Sequence, residues 1–164
     1  MLLGNIDEGQ MNVNLNMFNQ LPLIFRESAL IDRFHGFITG WEIPRLRENL
    51  KAQGWALNVE YFTEILHFLR HEPSFDGIVN QLLVVPKDAD VRDTRAIKRL
   101  CCAWLKLLFP HAANANDISV DEFDRYCLQP AINMRGIIRK QLSIIDPGEY
   151  SEILPDIKVK RDVA

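Results

Sequence analysis

Apolar residues recur along the chain at helical spacing. Over residues 92–109, Ile97, Leu100, Cys101, Trp104, Leu105 and Leu108 fall three and four apart and share one face. Pro110, which has no amide to continue the ladder, stops that helix. Residues 58–70 repeat the pattern: Asn58 is placed to cap, and Val59, Phe62, Ile65, Leu66 and Leu69 predict a buried stripe ended by Pro73. Residues 41–53 carry Ile43, Leu46 and Leu50, with Pro44 in the first turn and Gly54 just beyond, and predict a further helix. Residues 78–85 form a short apolar piece before Pro86 and a charged turn. Ser119-Val120-Asp121-Glu122 is a capping box that opens a helix through Tyr126 and Leu128. Pro130 either kinks that helix or starts another, which continues to about Ile144.

The first forty residues differ. Residues 2–6 and 35–39 are short, apolar or β-branched, and predict two strands. Between them lie a link rich in asparagine (Asn12, Asn14, Asn16, Asn19) and an apolar segment, 21–37, interrupted by Pro22, Arg26, Asp32 and Arg33. Gly40 separates this region from the helices, Asp146-Pro147-Gly148 predicts a turn, and Lys158 to Asp162 read as a polar, frayed tail. The expected organisation is a strand-bearing segment at 1–40, a helical unit at 41–150 and a tail at 151–164, mainly α overall. Because Leu2 to Ile6 read as an interior strand, the chain is expected to begin within a domain.

Composition narrows the classes. With 48% hydrophobic and 25% charged residues over 164 positions, the chain is neither disordered nor a small disulfide scaffold. A net charge of −3 excludes a bulk electrostatic grip on nucleic acid or anionic lipid, though not a local basic patch. Three cysteines, two of them adjacent (Cys101, Cys102, Cys127), read as reduced buried thiols and point to a cytoplasmic setting. Neither a membrane span nor a signal peptide is expected.

Most catalytic signatures are missing. No glycine precedes a lysine as in a phosphate loop, no glycines have dinucleotide-loop spacing, and none of the five serines sits in a nucleophile elbow. His67 and His71 have metal-ligand spacing, but lack further ligands beyond Glu72 and read as a surface pair, so no metal site is expected. Cys101, on an apolar helix face, reads as core packing. The arginines are more informative. Arg92, Arg95, Arg99 and Lys106 form one stripe opposite the apolar face, either a solvated surface or a set of donors for an anion. Arg33, between Asp32 and Phe34, is either paired to Asp32 or Glu27, or held at an edge to reach a neighbour's nucleotide. Arg135, Arg139 and Lys140 lie in a stretch without acids and form a modest basic patch, a weak candidate for DNA.

The run Leu30-Ile31-Asp32-Arg33-Phe34-His35-Gly36-Phe37-Ile38-Thr39-Gly40-Trp41-Glu42-Ile43-Pro44 resembles the BrxL family, Lon-like AAA+ proteins of the BREX phage-exclusion system. So do Arg92-Asp93-Thr94-Arg95-Ala96-Ile97-Lys98-Arg99, continuing to Pro110, and Ile144-Ile145-Asp146-Pro147-Gly148-Glu149-Tyr150. The layout is similar, more distantly, to minichromosome-maintenance helicases, which set an arginine finger in a comparable Leu-x-x-Arg-Phe context. The resemblance implies the end of an AAA+ core followed by its helical lid. It implies Arg33 as the arginine finger for a neighbouring subunit, Arg95 (alternatively Arg92) as the lid's sensor, and Asn5 as the polar residue that orients the attacking water. It also implies a parent that uses ATP and Mg²⁺, assembles as a ring of copies, and meets DNA or other BREX components.

The family's phosphate loop, acidic Mg²⁺ motif and DNA-binding region would lie upstream, and its Ser–Lys dyad downstream. Pro86-Lys87-Asp88 shares letters with a Lon signature, but no serine follows at the needed spacing. The chain alone is therefore expected to hydrolyse neither ATP nor peptide bonds and to hold no cofactor. The competing class is a free-standing helical module that binds protein or DNA without catalysis.

Overall fold

The computed structural model describes residues 4–161. Its architecture is mainly helical: α1 (Ser28–Ile31), α2 (Val59–Arg70), α3 (Ser74–Leu82), α4 (Val91–Leu108), α5 (Val120–Phe123) and α6 (Gln129–Ile145), with two short strands, β1 (Leu83–Val84) and β2 (Lys158–Val159). The periodic face of α4 supplies the main core. Ile97, Cys101 and Leu105 pack with Phe75, Val79 and Leu82 of α3 and with Phe123, Cys127, Leu128 and Ala131. Asp90 caps α4, accepting from the amides of Arg92 at 2.8 Å and Asp93 at 3.0 Å. The capping box is present: Ser119 Oγ accepts the Glu122 amide at 3.2 Å and Glu122 Oε2 accepts the Ser119 amide at 3.3 Å.

Pro130 does not break the helix it enters. Asp124–Leu128 winds as a π turn directly before α6. The wider turn accommodates a ring that has no amide to donate and would clash in a regular turn.

Three local expectations are corrected by tertiary context. Residues 41–53 form only the 3₁₀ turns Gly40–Glu42 and Glu48–Leu50, and Ile43, Leu46 and Leu50 stay exposed. A short amphipathic segment with no surface to bury against gains too little to nucleate a helix. In α2, Asn58 caps as predicted by accepting the Tyr61 amide at 3.1 Å, but of the expected stripe only Leu69 is buried and Val59 is 73% exposed. Lys158–Val159 is not frayed. It pairs antiparallel with β1 in the register Leu83↔Val159 and Val84↔Lys158, and the Lys160 amide reaches the Leu82 carbonyl at 2.7 Å.

Among the described residues of 4–40 there is no strand; Leu2 and Leu3 lie outside the described residues. This region instead wraps α6. Phe18 and Ile31, with Leu21, Phe34 and Phe37, pack on Ile138, Leu142, Ile145 and Tyr150. Buried Gln141 anchors the asparagine-rich link: its Oε1 accepts the Met17 amide at 2.9 Å, and its Nε2 donates to the carbonyls of Val13 and Leu15, each at 2.8 Å. Residues 35–37 lie directly on α6 rather than beside another strand. The Phe37 amide donates to the Met134 carbonyl at 3.0 Å, and a Cβ added at Gly36 would stand 2.8 Å from Met134 Cβ and 3.3 Å from its carbonyl carbon.

Gly36→Ala is therefore expected to lower unfolding stability in urea by about 1–3 kcal/mol, the usual cost of forcing a methyl into a packed contact. The three cysteines are free and buried. Burial pushes the Cys101 thiol far up, Cys127 to about 12 and Cys102, with help from Asp76, to about 11. A thiol reagent at neutral pH should leave the native chain unlabelled and modify all three residues after denaturation; rapid native labelling would contradict this packing.

Candidate nucleotide-interaction site

Three of the arginines singled out in the sequence, Arg92, Arg135 and Arg139, gather around two buried carboxylates. Asp93 lies on α4 four and seven residues before Ile97 and Leu100, on the apolar face. Arg135 lies on α6 between Ala131 and Ile138, again on the apolar face, and is fully buried. The two charges meet there: Arg135 Nε donates to Asp93 Oδ1 at 2.7 Å and Arg135 Nη2 to Asp32 Oδ1 at 2.8 Å. Arg135 Nη1 donates to two backbone carbonyls, Asp32 at 3.0 Å and Phe34 at 2.6 Å. The guanidinium thus holds the carbonyls on either side of Arg33.

Arg92, on the first turn of α4, donates to the other oxygen of Asp32, with about half of its side chain exposed. Arg139 approaches Asp93 Oδ2 at 3.6 Å and lies over the Tyr150 ring. That distance exceeds a hydrogen bond, and Asp93 Oδ2 and Arg139 Nε have no other partner. Burial, the largest single influence on Asp32, pushes its carboxyl up, but hydrogen bonds from Arg92 and Arg135 together hold it below the ordinary range. At Asp93 burial prevails over Arg135 and Arg139 and the carboxyl is raised. The consequences for stability are opposite. Asp32 stabilises above the ordinary carboxylate range and loses that contribution as pH falls, whereas Asp93 opposes folding as pH rises through its raised pKa.

Arg33 is exposed. Asp32 is occupied by Arg135 and Arg92, and neither it nor Glu27 pairs with Arg33, whose guanidinium among the described residues bonds only to the Ala29 carbonyl in its own turn. Arg95 makes no ion pair among the described residues. With Lys98, Arg99, Thr94, Asn80 and Asp76 it lines an open groove of about 510 Å³ between α3 and α4. Lys98 donates to Asn80 at 2.7 Å, and Arg99 lies 3.0 Å from His35 Nε2. Burial, then the charges of Arg99 and Arg135, lowers the His35 pKa, so the neutral ring accepts from Arg99. Lys106 leaves the stripe, donating to the Arg70 carbonyl at 3.3 Å and resting over Phe75.

Asn5 is exposed in an irregular segment, and no hydrogen bond ties it to Arg33, Arg92 or Arg95. The basic patch read from the sequence is not one surface. Arg135 is enclosed with its donors turned inward to carboxylates and carbonyls, and Arg139 is largely covered, so Arg135 cannot meet DNA in this fold. Lys140 is half-buried. Asp32 and Asp93, the centre of the site, were not singled out by charge patterning; the available signal was a charged residue on each of two apolar stripes.

Removing one partner from a buried pair strands the other charges. Arg135→Met should cost about 3–5 kcal/mol in denaturant unfolding, whereas Arg33→Ala should stay within about 0.5 kcal/mol. An unchanged midpoint for Arg135→Met would contradict the enclosed network.

Comparison with known proteins identifies the family. A family model described as "Lon-like protease BrxL-like, ATPase domain" matches residues 1–156. The chain is 26% identical to the Lon-like protease BrxL of Escherichia coli O9:H4 (strain HS) over 153 residues, covering 92% of this chain and 21% of that protein. It is also 26% identical to the Lon-like protease BrxL of Bacillus cereus (strain H3081.97) over 139 residues, covering 84% of this chain and 20% of that protein. The chain spans about a fifth of the length of the curated relatives it matches. With nearly its whole length matched by one family model, the chain belongs to the BrxL-like ATPase-domain family.

Proposed function

We propose that this chain serves an ATP-driven ring motor of the BREX type, acting on DNA or polypeptide, and that it lends Arg33 to the nucleotide of a neighbouring copy. One observation carries the reading. Arg33 is exposed while the residues on both sides of it are locked from within, by Arg135 on the carbonyls of Asp32 and Phe34. An exposed guanidinium carried on a fixed turn suits transfer of a phosphoryl group, where charge spread over equatorial oxygens needs a planar positive donor.

Arg95 is the stronger choice for the sensor, because it has no ion pair among the described residues and opens onto a basic groove, whereas Arg92 is engaged with Asp32. Asn5 is retained as the water-orienting residue on the family resemblance alone. The family resemblance implies that the parent protein's acidic motif supplies the oxygen ligands for Mg²⁺.

A second reading, a helical interaction module, is favoured by the exposed apolar residues Leu46, Trp55, Leu57 and Phe68. ATP hydrolysis by the assembled protein that carries this segment separates the two. Arg33→Ala is expected to reduce turnover by about 10³-fold or more, the usual worth of an arginine finger, while nucleotide binding persists. Undiminished turnover in that variant would overturn the finger assignment.

A further inference from the structure

We infer that Lys98 and Arg99 are further phosphate-binding residues of the groove between α3 and α4, and that Asn80 and His35 are positioning residues that fix these two cations without cancelling their charge. The ligand is the phosphate chain of a nucleotide. The inference rests on the reading of Arg95 as the sensor in that groove and adds the residues that complete the site.

Arg95, Lys98 and Arg99 stand three and four residues apart on α4, so their side chains are neighbours on one face. Like charges at that spacing repel, and none of the three makes an ion pair among the described residues. The other arginines of α4 and α6 differ in their partners: Arg92, Arg135 and Arg139 are each met by a carboxylate. Lys98 and Arg99 are met by neutral acceptors instead. Lys98 Nζ donates to Asn80 Oδ1 at 2.7 Å, and Arg99 Nη1 donates to His35 Nε2 at 3.0 Å. A carboxylate would hold either cation and neutralise it, whereas a carboxamide or a neutral imidazole fixes the head group and leaves its whole charge for a ligand.

His35 is itself held for this task. Its backbone is pinned on both sides, by Arg135 at the Phe34 carbonyl and by the Phe37 amide on the Met134 carbonyl. Burial, then the charges of Arg99 and Arg135, keeps its ring neutral and Nε2 an acceptor. The groove pairs these cations with an apolar lining from Val79, Val85 and Val91, while Asp76, which also lines it, lies against the Cys102 thiol. An apolar pocket of about 510 Å³ bordered by three uncancelled cations suits a molecule with a flat apolar end and a polyanionic one, and a nucleotide has both. A nucleic-acid backbone would demand positive charge along a longer track, which a chain of net charge −3 does not supply.

The test is the affinity of the assembled protein that carries this segment for a non-hydrolysable ATP analogue, measured by calorimetry. Arg99→Gln should raise Kd about tenfold, the usual worth of a charge-assisted bond to phosphate. His35→Ala, which only releases Arg99, should raise it about threefold. His35→Gln offers an oxygen to the same N–H and should return Kd to within about twofold of the parent. His35→Glu accepts equally well but neutralises Arg99, and should bind more weakly than the alanine variant. A merely structural His35 would rank the variants by melting temperature and not by charge. Unchanged Kd for Arg99→Gln, or His35→Glu binding as tightly as His35→Gln, would overturn the inference. So would a loss of duplex-DNA affinity, measured without nucleotide, while the analogue still binds the variants as it binds the parent. Arg95→Ala tells the two readings apart. If it leaves Kd unchanged, the sensor reading falls and this inference with it; if it weakens binding while the Arg99 and His35 variants match the parent, this inference alone fails.

Discussion

The enclosed guanidinium of Arg135, caught between the carboxylates of Asp32 and Asp93, is the constraint around which this molecule is arranged. It joins three stretches far apart in sequence: the turn after α1, the first turns of α4 and the middle of α6. Taking three charges out of water is costly, and their mutual attraction offsets the cost only because nearly every donor of Arg135 finds an oxygen. An apolar trio of similar volume would pack as well. What it would lack is the directional demand that places the backbone on either side of residue 33 in one position.

That demand explains how an irregular segment acts as a rigid one. Beyond the bonds of the Asp32, Arg33 and Phe34 amides to Ser28, Leu30 and Ile31, residues 32–37 have no regular secondary structure to organise them. They are held by Arg135 at two carbonyls, by Met134 at the Phe37 amide, by Gly36 lying against α6, and by Arg99 at His35. Anchored in this way, the segment presents Arg33 to solvent while Asp32 beside it is buried. The same principle operates one layer away, where Gln141 satisfies three backbone groups of residues 13–17 and replaces the strand partners that this stretch lacks.

The surface around Arg33 is divided by function of charge rather than by amount of it. Of the cationic residues in the two helical stripes, Arg135 is structural and buried, Arg139 is partly spent on Asp93 and Tyr150, and Arg92 is engaged at the edge. Arg95 remains available in the groove, and Arg33 beyond the network. A nearly neutral chain can therefore offer concentrated positive charge at chosen points without a general affinity for polyanions.

Local sequence determined what local physics controls. The 3.6-residue periodicity of α4, the caps at Asn58 and Ser119, the thiols of the core and the lack of a phosphate loop were legible because each depends on residues within a turn or two of one another. Three features depended on long-range contacts and were decided only in the folded chain. The 41–53 pattern found no surface to cover and stayed in 3₁₀ turns; the tail at 158–159 became a strand because β1 lies alongside it. Arg135, which reads as part of a basic surface, turned inward because Asp93 and Asp32 converge on it from 42 and 103 residues away. A charge's neighbours along the chain do not say whether it faces water; its partners across the fold do.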